Sequence, residues 1–385
     1  IMSISTEERR IIQDVLDLSR RKTTQMFPQM MENPVARYND PKQLEQEINI
    51  LFRNFPIIIA HASDLAQPGD FLTHDDTGVP ILVSRTQTGK VKAFLNVCRH
   101  RGARIEDRPC GNARTFSCPY HAWTYGLDGA LRGMPHPSGF EGADRETLGL
   151  VELPCYEHFG MIWVVPSVQD KEIDMTSWVG PFEEYLGGLD LGAHHVFQKW
   201  ALHRKMSWRL ALEGFQETYH FCSAHRHTAC AGYLDNQSVH LNFNPHVRHA
   251  VPLPKVLELQ DQDPQTWEYR PYFMDQNYLF PANFVQVMTD HVYVHTIIPT
   301  GPGTCVFQCM MLIPEEPKTE KAKQYWQKNY DLIRVVFNED FEIGEGIQKG
   351  LSTGANQHFV FGKYECGLHL GQKSIDDALA GKIVA

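Results

Sequence analysis

Two short cysteine–histidine pairs constrain this chain more than any other feature. Cys98-Arg99-His100 is followed, after seventeen residues, by Cys118-Pro119-Tyr120-His121. Each pair offers one thiolate and one imidazole, and four such ligands suit a metal centre. A single zinc ion would take all four in a tetrahedron. Zinc loops usually pair cysteine with cysteine and histidine with histidine. Here each loop carries one of each. Each can therefore give its thiolate to one iron and its imidazole to the other iron of a 2Fe–2S cluster. Gly102 and Pro119 suit tight loops whose backbone N–H groups reach cluster sulfurs. Cys110 lies between the pairs, matches no ligand position and reads as a plain thiol.

The surrounding sequence, 45–165, is a series of short β runs such as 80–85, 91–95 and 160–165. Thr88-Gly89 and Asp128-Gly129 are hairpin signals between them. This reads as a small antiparallel β module. Residues 5 to about 35 read as helical, with Val15, Leu16, Leu18, Met26 and Phe27 among charges and Pro28 as a breaker. Beyond 166 the pattern is mixed: a helical period over 207–222, strand-like runs over 238–315, and a long helix from Thr319 to about Leu351. A chain of 385 residues exceeds one simple core. The expected class is α+β, with the β module of 45–165 inserted between N-terminal helices (1–44) and the rest of a larger domain (166–385).

A net charge of −10 without a basic block argues against nucleic acid as a partner. No apolar run approaches the ~18 residues of a membrane span. The first ten residues lack an apolar signal region, so a cytoplasmic location is expected. Nine scattered cysteines suit reduced intracellular thiols better than a disulfide framework.

A cluster of this kind moves single electrons, so a second site must use them. Residues 213–225 contain His220 and His225 with four residues between them. Two histidines and one carboxylate, with positions left open, make the arrangement for ferrous iron that activates O2. The carboxylate must be distant in sequence, and 338–345 is the richest region, with Glu339, Asp340 and Glu342 as candidates. His227 stands at the wrong spacing and reads as structural.

C-R-H-R-G followed by C-P-Y-H-A-W-x-Y resembles the signature of Rieske non-haem iron oxygenases, specifically their alpha subunits. The resemblance implies a Rieske domain within a helix-grip (START-like) catalytic domain whose sheet is mostly antiparallel. It implies cluster ligands Cys98, His100, Cys118 and His121, and iron ligands His220, His225 and Asp340, the last from its place ahead of Glu345-Gly346-Ile347-Gln348. It implies that Glu217 bridges a cluster histidine of one subunit to an iron histidine of its neighbour in a homotrimer. Many ring dioxygenases have Asp there; the Glu form is common in monooxygenases and demethylases. Electrons come from NAD(P)H through a reductase, directly or by way of a ferredoxin.

The expected reaction is hydroxylation of an aromatic or small hydrophobic substrate, as a monooxygenase. The alternatives are N-demethylation or C–N cleavage of a carnitine- or betaine-like quaternary ammonium compound, and cis-dihydroxylation. Pocket walls are expected near Gln216 and Phe221, over 228–260 and over 278–310. Phe280, Phe284, Val287, Tyr293 and Phe307 suit an aromatic pocket or a plain core. Arg248 and His249 suit a substrate carboxylate or a structural ion pair.

Overall fold

The computed structural model describes residues 4–385. The chain divides into two compact units: the N-terminal segment through Ile48 joined with His194–Ile383, and Asn49–Ala193. The β unit thus runs on well past 165, because the helices Met175–Val179 and Phe182–Gly187 belong to it.

Within the β unit, a five-stranded antiparallel sheet has the order Glu152–Leu153, Val91–Leu95, Ile81–Arg85, Asp70–His74, Cys110–Asn112. Two three-stranded sheets accompany it, one of them Thr115–Ser117, Thr124–Gly126 and Leu131–Gly133. Both expected hairpin turns form. Gly129 has φ +81°, and a Cβ there would stand 2.4 Å from the Phe94 ring, so only glycine closes this turn without displacing the core. Phe71, Leu82, Phe94, Phe116, Trp123 and Tyr125 pack together, with Cys98 and Cys118 buried among them.

The larger unit is built on a seven-stranded antiparallel sheet. Its order is His195–Arg204, Thr304–Ile313, Val292–Gly301, Asn283–Val287, Phe273–Leu279, His246–Pro252, Val239–Phe243. The strands from His246 to Val287 are buried at every position. Elements therefore cover both faces, and the alternation of a half-exposed sheet is lost.

The first helix, Thr6–Arg20, opens on a Ser5–Glu8 capping box and buries Ile11, Ile12, Val15 and Leu16. It ends fifteen residues short of the expected 35, because Met31–Pro34 pairs as a strand with His358–Phe361. The period over 207–222 likewise yields Trp208–Glu213, which ends at Gly214, and then only the start of a four-residue helix, Phe221–Ala224. That short helix is fixed from its buried side. Arg209 donates to Glu47 Oε1 from two nitrogens, at 2.9 and 2.7 Å, and Trp208 Nε1 donates to Glu47 Oε2 at 2.7 Å. Removing one partner of such a buried pair costs about 3–5 kcal/mol. The long helix, Glu320–Leu351, forms as expected and buries Ile333, Phe337, Phe341 and Gly344 along one face.

Candidate functional site

The two cysteine–histidine loops are built alike. In the first, Gly102 N–H donates to the Cys98 carbonyl at 2.9 Å and Cys98 N–H to the Ala103 carbonyl at 2.8 Å. In the second, Ala122 N–H donates to the Cys118 carbonyl at 2.9 Å and Cys118 N–H to the Trp123 carbonyl at 2.8 Å. The residue four places after each cysteine takes a left-handed backbone, Gly102 at φ +75° and Ala122 at φ +55°. Both thiols are buried and unoxidised. The His100 and His121 rings stand edge to face at 4.6 Å, and His100 stacks on Trp123 at 4.8 Å. His100 Nδ1 is buried without a hydrogen-bond partner, as a ligand atom would be. The Tyr125 hydroxyl lies 3.3 Å from Cys98 Sγ.

These four side chains fit a 2Fe–2S cluster better than one zinc ion. Zinc bonds of ~2.0–2.3 Å would draw the ligand atoms round a single point. Among the described residues, only His220, His225 and Asp340 bring three metal-ligating atoms within 4.8 Å of one another. The cysteines and histidines of the loops are spread more widely, as two irons require.

At that second constellation, Asp340 Oδ1 lies 2.9 Å from His225 Nε2 and 3.5 Å from His220 Nε2. The outer nitrogens are both engaged. His220 Nδ1 meets Glu217 Oε1, and His225 Nδ1 donates to Glu339 Oε2 at 2.8 Å. With Nδ1 turned outward to a carboxylate, each imidazole can offer its Nε2 lone pair to a metal held between them. His220 Nε2 is buried and has no hydrogen-bond partner. Burial pulls both imidazoles down, yet Glu217, Glu339 and Asp340 push them up further, so the net direction is up. The pocket favours positive charge, and a divalent cation would supply it. His220, His225 and Asp340 fit a mononuclear iron with open positions.

Two of the expected alternatives fall away. Glu339 holds the back of His225 and also accepts from Thr228 Oγ1 at 2.7 Å. Glu342 is exposed and bonded to Asn338 at 2.6 Å. Asp340 alone of the three lies between the histidines.

Packing sets where the ligands stand. A Cβ on Gly344 would meet Met206 Sδ at 2.4 Å, so glycine lets the long helix approach closely enough to deliver Asp340. On the other side, helix Cys366–Leu379 presses on Gln216. A Cβ on Gly367 would stand 1.9 Å from the Gln216 carbonyl oxygen, and one on Gly371 2.4 Å from its side-chain nitrogen. The segment from Gly214 to His220, held there, does not continue as a helix. Sequence reasoning missed Gly367 and Gly371, although the spacing G-x-x-x-G was present.

Two cavities meet at Glu217, His220 and Asp340. One, of about 280 Å³, also touches His225 and is walled by Phe221, Tyr233, Val251, Met274 and Tyr293, and by the helix face Leu332–Phe337. The other, of about 540 Å³, is lined by Met206, Leu210, Glu213, Ile343, Ile347 and Val360. The helix wall of the first was not expected from the sequence.

Of the expected aromatic set only Tyr293 lines the smaller cavity. Phe284 and Phe307 instead pack round Phe215, at 5.5 and 5.7 Å, and Phe280 and Val287 are buried. Arg248 is a structural cation: it donates to Asp275 at 2.8 Å and to Glu7 at 2.8 Å. His249 does line the cavity, stacked on His240 at 4.0 Å, and burial keeps it neutral. His227 is exposed. Cys222 and Cys230 are joined by a disulfide, contrary to the expectation of reduced thiols throughout. Their separation of only eight residues forms a local clip about His225 rather than a framework.

Residues 191–381 match the family described as "Ring hydroxylating alpha subunit (catalytic domain)", and residues 55–157 match the Rieske 2Fe-2S domain. The chain is 30% identical over 399 aligned positions to the glycine betaine monooxygenase oxygenase subunit of Chromohalobacter salexigens, covering 93% of this chain and 88% of that protein. It is 33% identical over 204 residues to the large oxygenase component of the 2,4-dinitrotoluene dioxygenase system of Burkholderia sp., 51% of this chain and 44% of that protein. Among solved structures, the quaternary ammonium Rieske monooxygenase CntA in complex with L-carnitine superposes with a TM-score of 0.77 at 20% identity, over 98% of this chain and 99% of that one. The chain belongs to the Rieske non-haem iron oxygenases, as an alpha subunit. It is an oxidoreductase whose cofactors are a Rieske 2Fe–2S cluster and a mononuclear iron. Among the described residues no helix is long and apolar enough to cross a membrane.

Proposed function

We propose that this chain is the terminal oxygenase of a multicomponent monooxygenase, acting on a small, mostly apolar organic substrate. Cys98, His100, Cys118 and His121 hold the cluster, and His220, His225 and Asp340 hold the iron. When bound, the cluster supplies single electrons and the iron supplies the open positions at which O2 is activated. Glu217 fixes His220 through Nδ1 and accepts the His220 backbone N–H at 3.2 Å. It is the residue that links His220 to a cluster histidine of a neighbouring subunit in a homotrimer, with a reductase, alone or with a ferredoxin, as electron source. Glu339 and Thr228 keep His225 turned inward. The smaller cavity lies beside the iron ligands and orients the substrate.

The observation that carries the substrate reading is the wall of that cavity: mostly apolar and aromatic side chains with a polar patch on the sheet side, and no lysine or arginine among the residues lining it. A substrate carboxylate would find no lysine or arginine partner there. Glu at position 217, rather than Asp, supports mono-oxygenation. A second reading, oxidative attack on a quaternary ammonium compound, is favoured by the near full-length likeness to a glycine betaine monooxygenase and by Tyr233 and Tyr293 facing the cavity.

A single-turnover assay tests both. The pre-reduced holoprotein receives O2 with aromatic and methylammonium compounds, and products are identified by mass. One added oxygen on an uncharged compound is expected. Formaldehyde or C–N cleavage products would move the chain to the second reading, and two added oxygens would make it a dioxygenase.

A further inference from the structure

The sheet side of the smaller cavity contains a pair of acceptors that the proposed function leaves unused. Strand registers set Gln276 opposite Gln286 and Gln286 opposite Tyr293, and all three line the cavity. The adjacent wall carries Met274, Met288 and His291. Two atoms there are buried and lack any hydrogen-bond partner: Gln286 Oε1 and His291 Nε2.

The other ends of these side chains are committed. Gln286 Nε2 donates to Met288 Sδ at 3.5 Å, which leaves its oxygen over. His291 Nδ1 lies 2.7 Å from Asp290 Oδ1, and Asp290 also accepts from the Tyr325 hydroxyl. The hydrogen bond from His291, followed by that from Tyr325, holds the Asp290 carboxyl below its ordinary range. An ionised carboxylate can only accept, so the proton sits on Nδ1. With Nδ1 committed to Asp290, Nε2 is the ring position left to accept. His249, with both ring nitrogens unpartnered, offers one donor and one acceptor and does not discriminate. Buried acceptors left without donors are unfavourable, and an occupant that supplies donors relieves the cost.

We infer that the substrate of this site carries a hydrogen-bond donor, a hydroxyl or N–H group, received by Gln286 Oε1 and His291 Nε2. Asp290 is the positioning residue that sets the imidazole tautomer. This rests on the oxygenase reading only in taking the cavity as the substrate site. A fully methylated ammonium centre has no such donor, so an alcohol, a phenol or an N–H compound fits better. The donor anchors the substrate from the sheet side, opposite the helix that carries Asp340.

The test uses two probes of one shape, 1-indanol, which donates, and 1-indanone, which only accepts. Binding to the metal-loaded protein is measured anaerobically by calorimetry. Wild type should favour the alcohol by about tenfold. Gln286→Leu should shrink that ratio. In Asp290→Asn the Tyr325 hydroxyl takes the amide oxygen and the NH2 faces His291, which moves the ring proton to Nε2. The ratio should then fall by about tenfold or reverse in favour of the ketone. Equal affinities in wild type, a preference for the ketone, or no measurable binding of either probe overturns the inference. Equal weakening of both probes in Asp290→Asn overturns the role of Asp290. Hydroxylated product from either probe without a donor preference would sink this inference and leave the oxygenase reading standing. A donor preference without oxygenated product from any compound would do the reverse.

Discussion

Glu339→Gln separates a residue that orients a ligand from one that is a ligand. Glu339 Oε2 accepts from His225 Nδ1 at 2.8 Å and from Thr228 Oγ1 at 2.7 Å, while Asp340 Oδ1 stands 2.9 Å from His225 Nε2. Glutamine keeps the length and one acceptor but removes the charge. A hydrogen bond to a charged group is worth about 1.5–3 kcal/mol, and loss of part of it lets His225 turn and lowers its basicity. The expected effect is about 10–100-fold weaker Fe(II) binding, which is about 1.4–2.7 kcal/mol. Fe(II) titration of the apoprotein under anaerobic conditions measures it. Glu342→Gln is the control, because Glu342 is exposed and bonded to Asn338 away from the histidines. Asp340→Ala should abolish binding of the mononuclear iron outright. Unchanged affinity in Glu339→Gln, or retained iron in Asp340→Ala, would refute the assignment.

Three further outcomes follow from the packing and the charges. Burial pushes the Glu213 carboxyl up to about 7, so its stability contribution is complete below ~4.5 and is lost as pH rises through 7. The carboxyl opens partly on the larger cavity, and Glu213→Gln should be more stable than wild type by about 2–3 kcal/mol at pH 8 and equal to it near pH 4, by urea denaturation. Gly367→Ala should destabilise by about 2–3 kcal/mol and weaken iron binding, since its Cβ would overlap the Gln216 carbonyl, whereas Gly346→Ala, with open space around it, should stabilise by up to about 1 kcal/mol. Tyr125→Phe removes the hydroxyl beside Cys98 Sγ and should lower the cluster's reduction potential by tens of millivolts, about 43 mV per kcal/mol for one electron, by protein-film voltammetry.

What was legible in the sequence was what is local. The cluster loops are each contained in six residues, and their twin hydrogen-bond patterns follow from the chain itself. His220 and His225 were legible for the same reason. Asp340 lies far along the chain, and only the resemblance separated it from Glu339 and Glu342. The Gly214–His220 segment was not legible as non-helical, because its shape is imposed by Gly367 and Gly371 from another helix. Phe284 and Phe307 could not be told from pocket residues, since a core ring and a cavity ring have the same pattern on a strand that is buried on both faces. Arg248 took its partners from Asp275 and Glu7, neither of which is near it in sequence.

The central claim is that one chain holds a cluster and a separate mononuclear iron. Iron and acid-labile sulfide analysis of wild type and Asp340→Ala, read beside the visible spectrum, tests it most directly. Wild type should hold about three irons and two sulfides per chain, and Asp340→Ala about two irons and two sulfides with an unchanged red-brown spectrum. A colourless zinc-bearing protein, or loss of the cluster spectrum together with the mononuclear iron in Asp340→Ala, would contradict it.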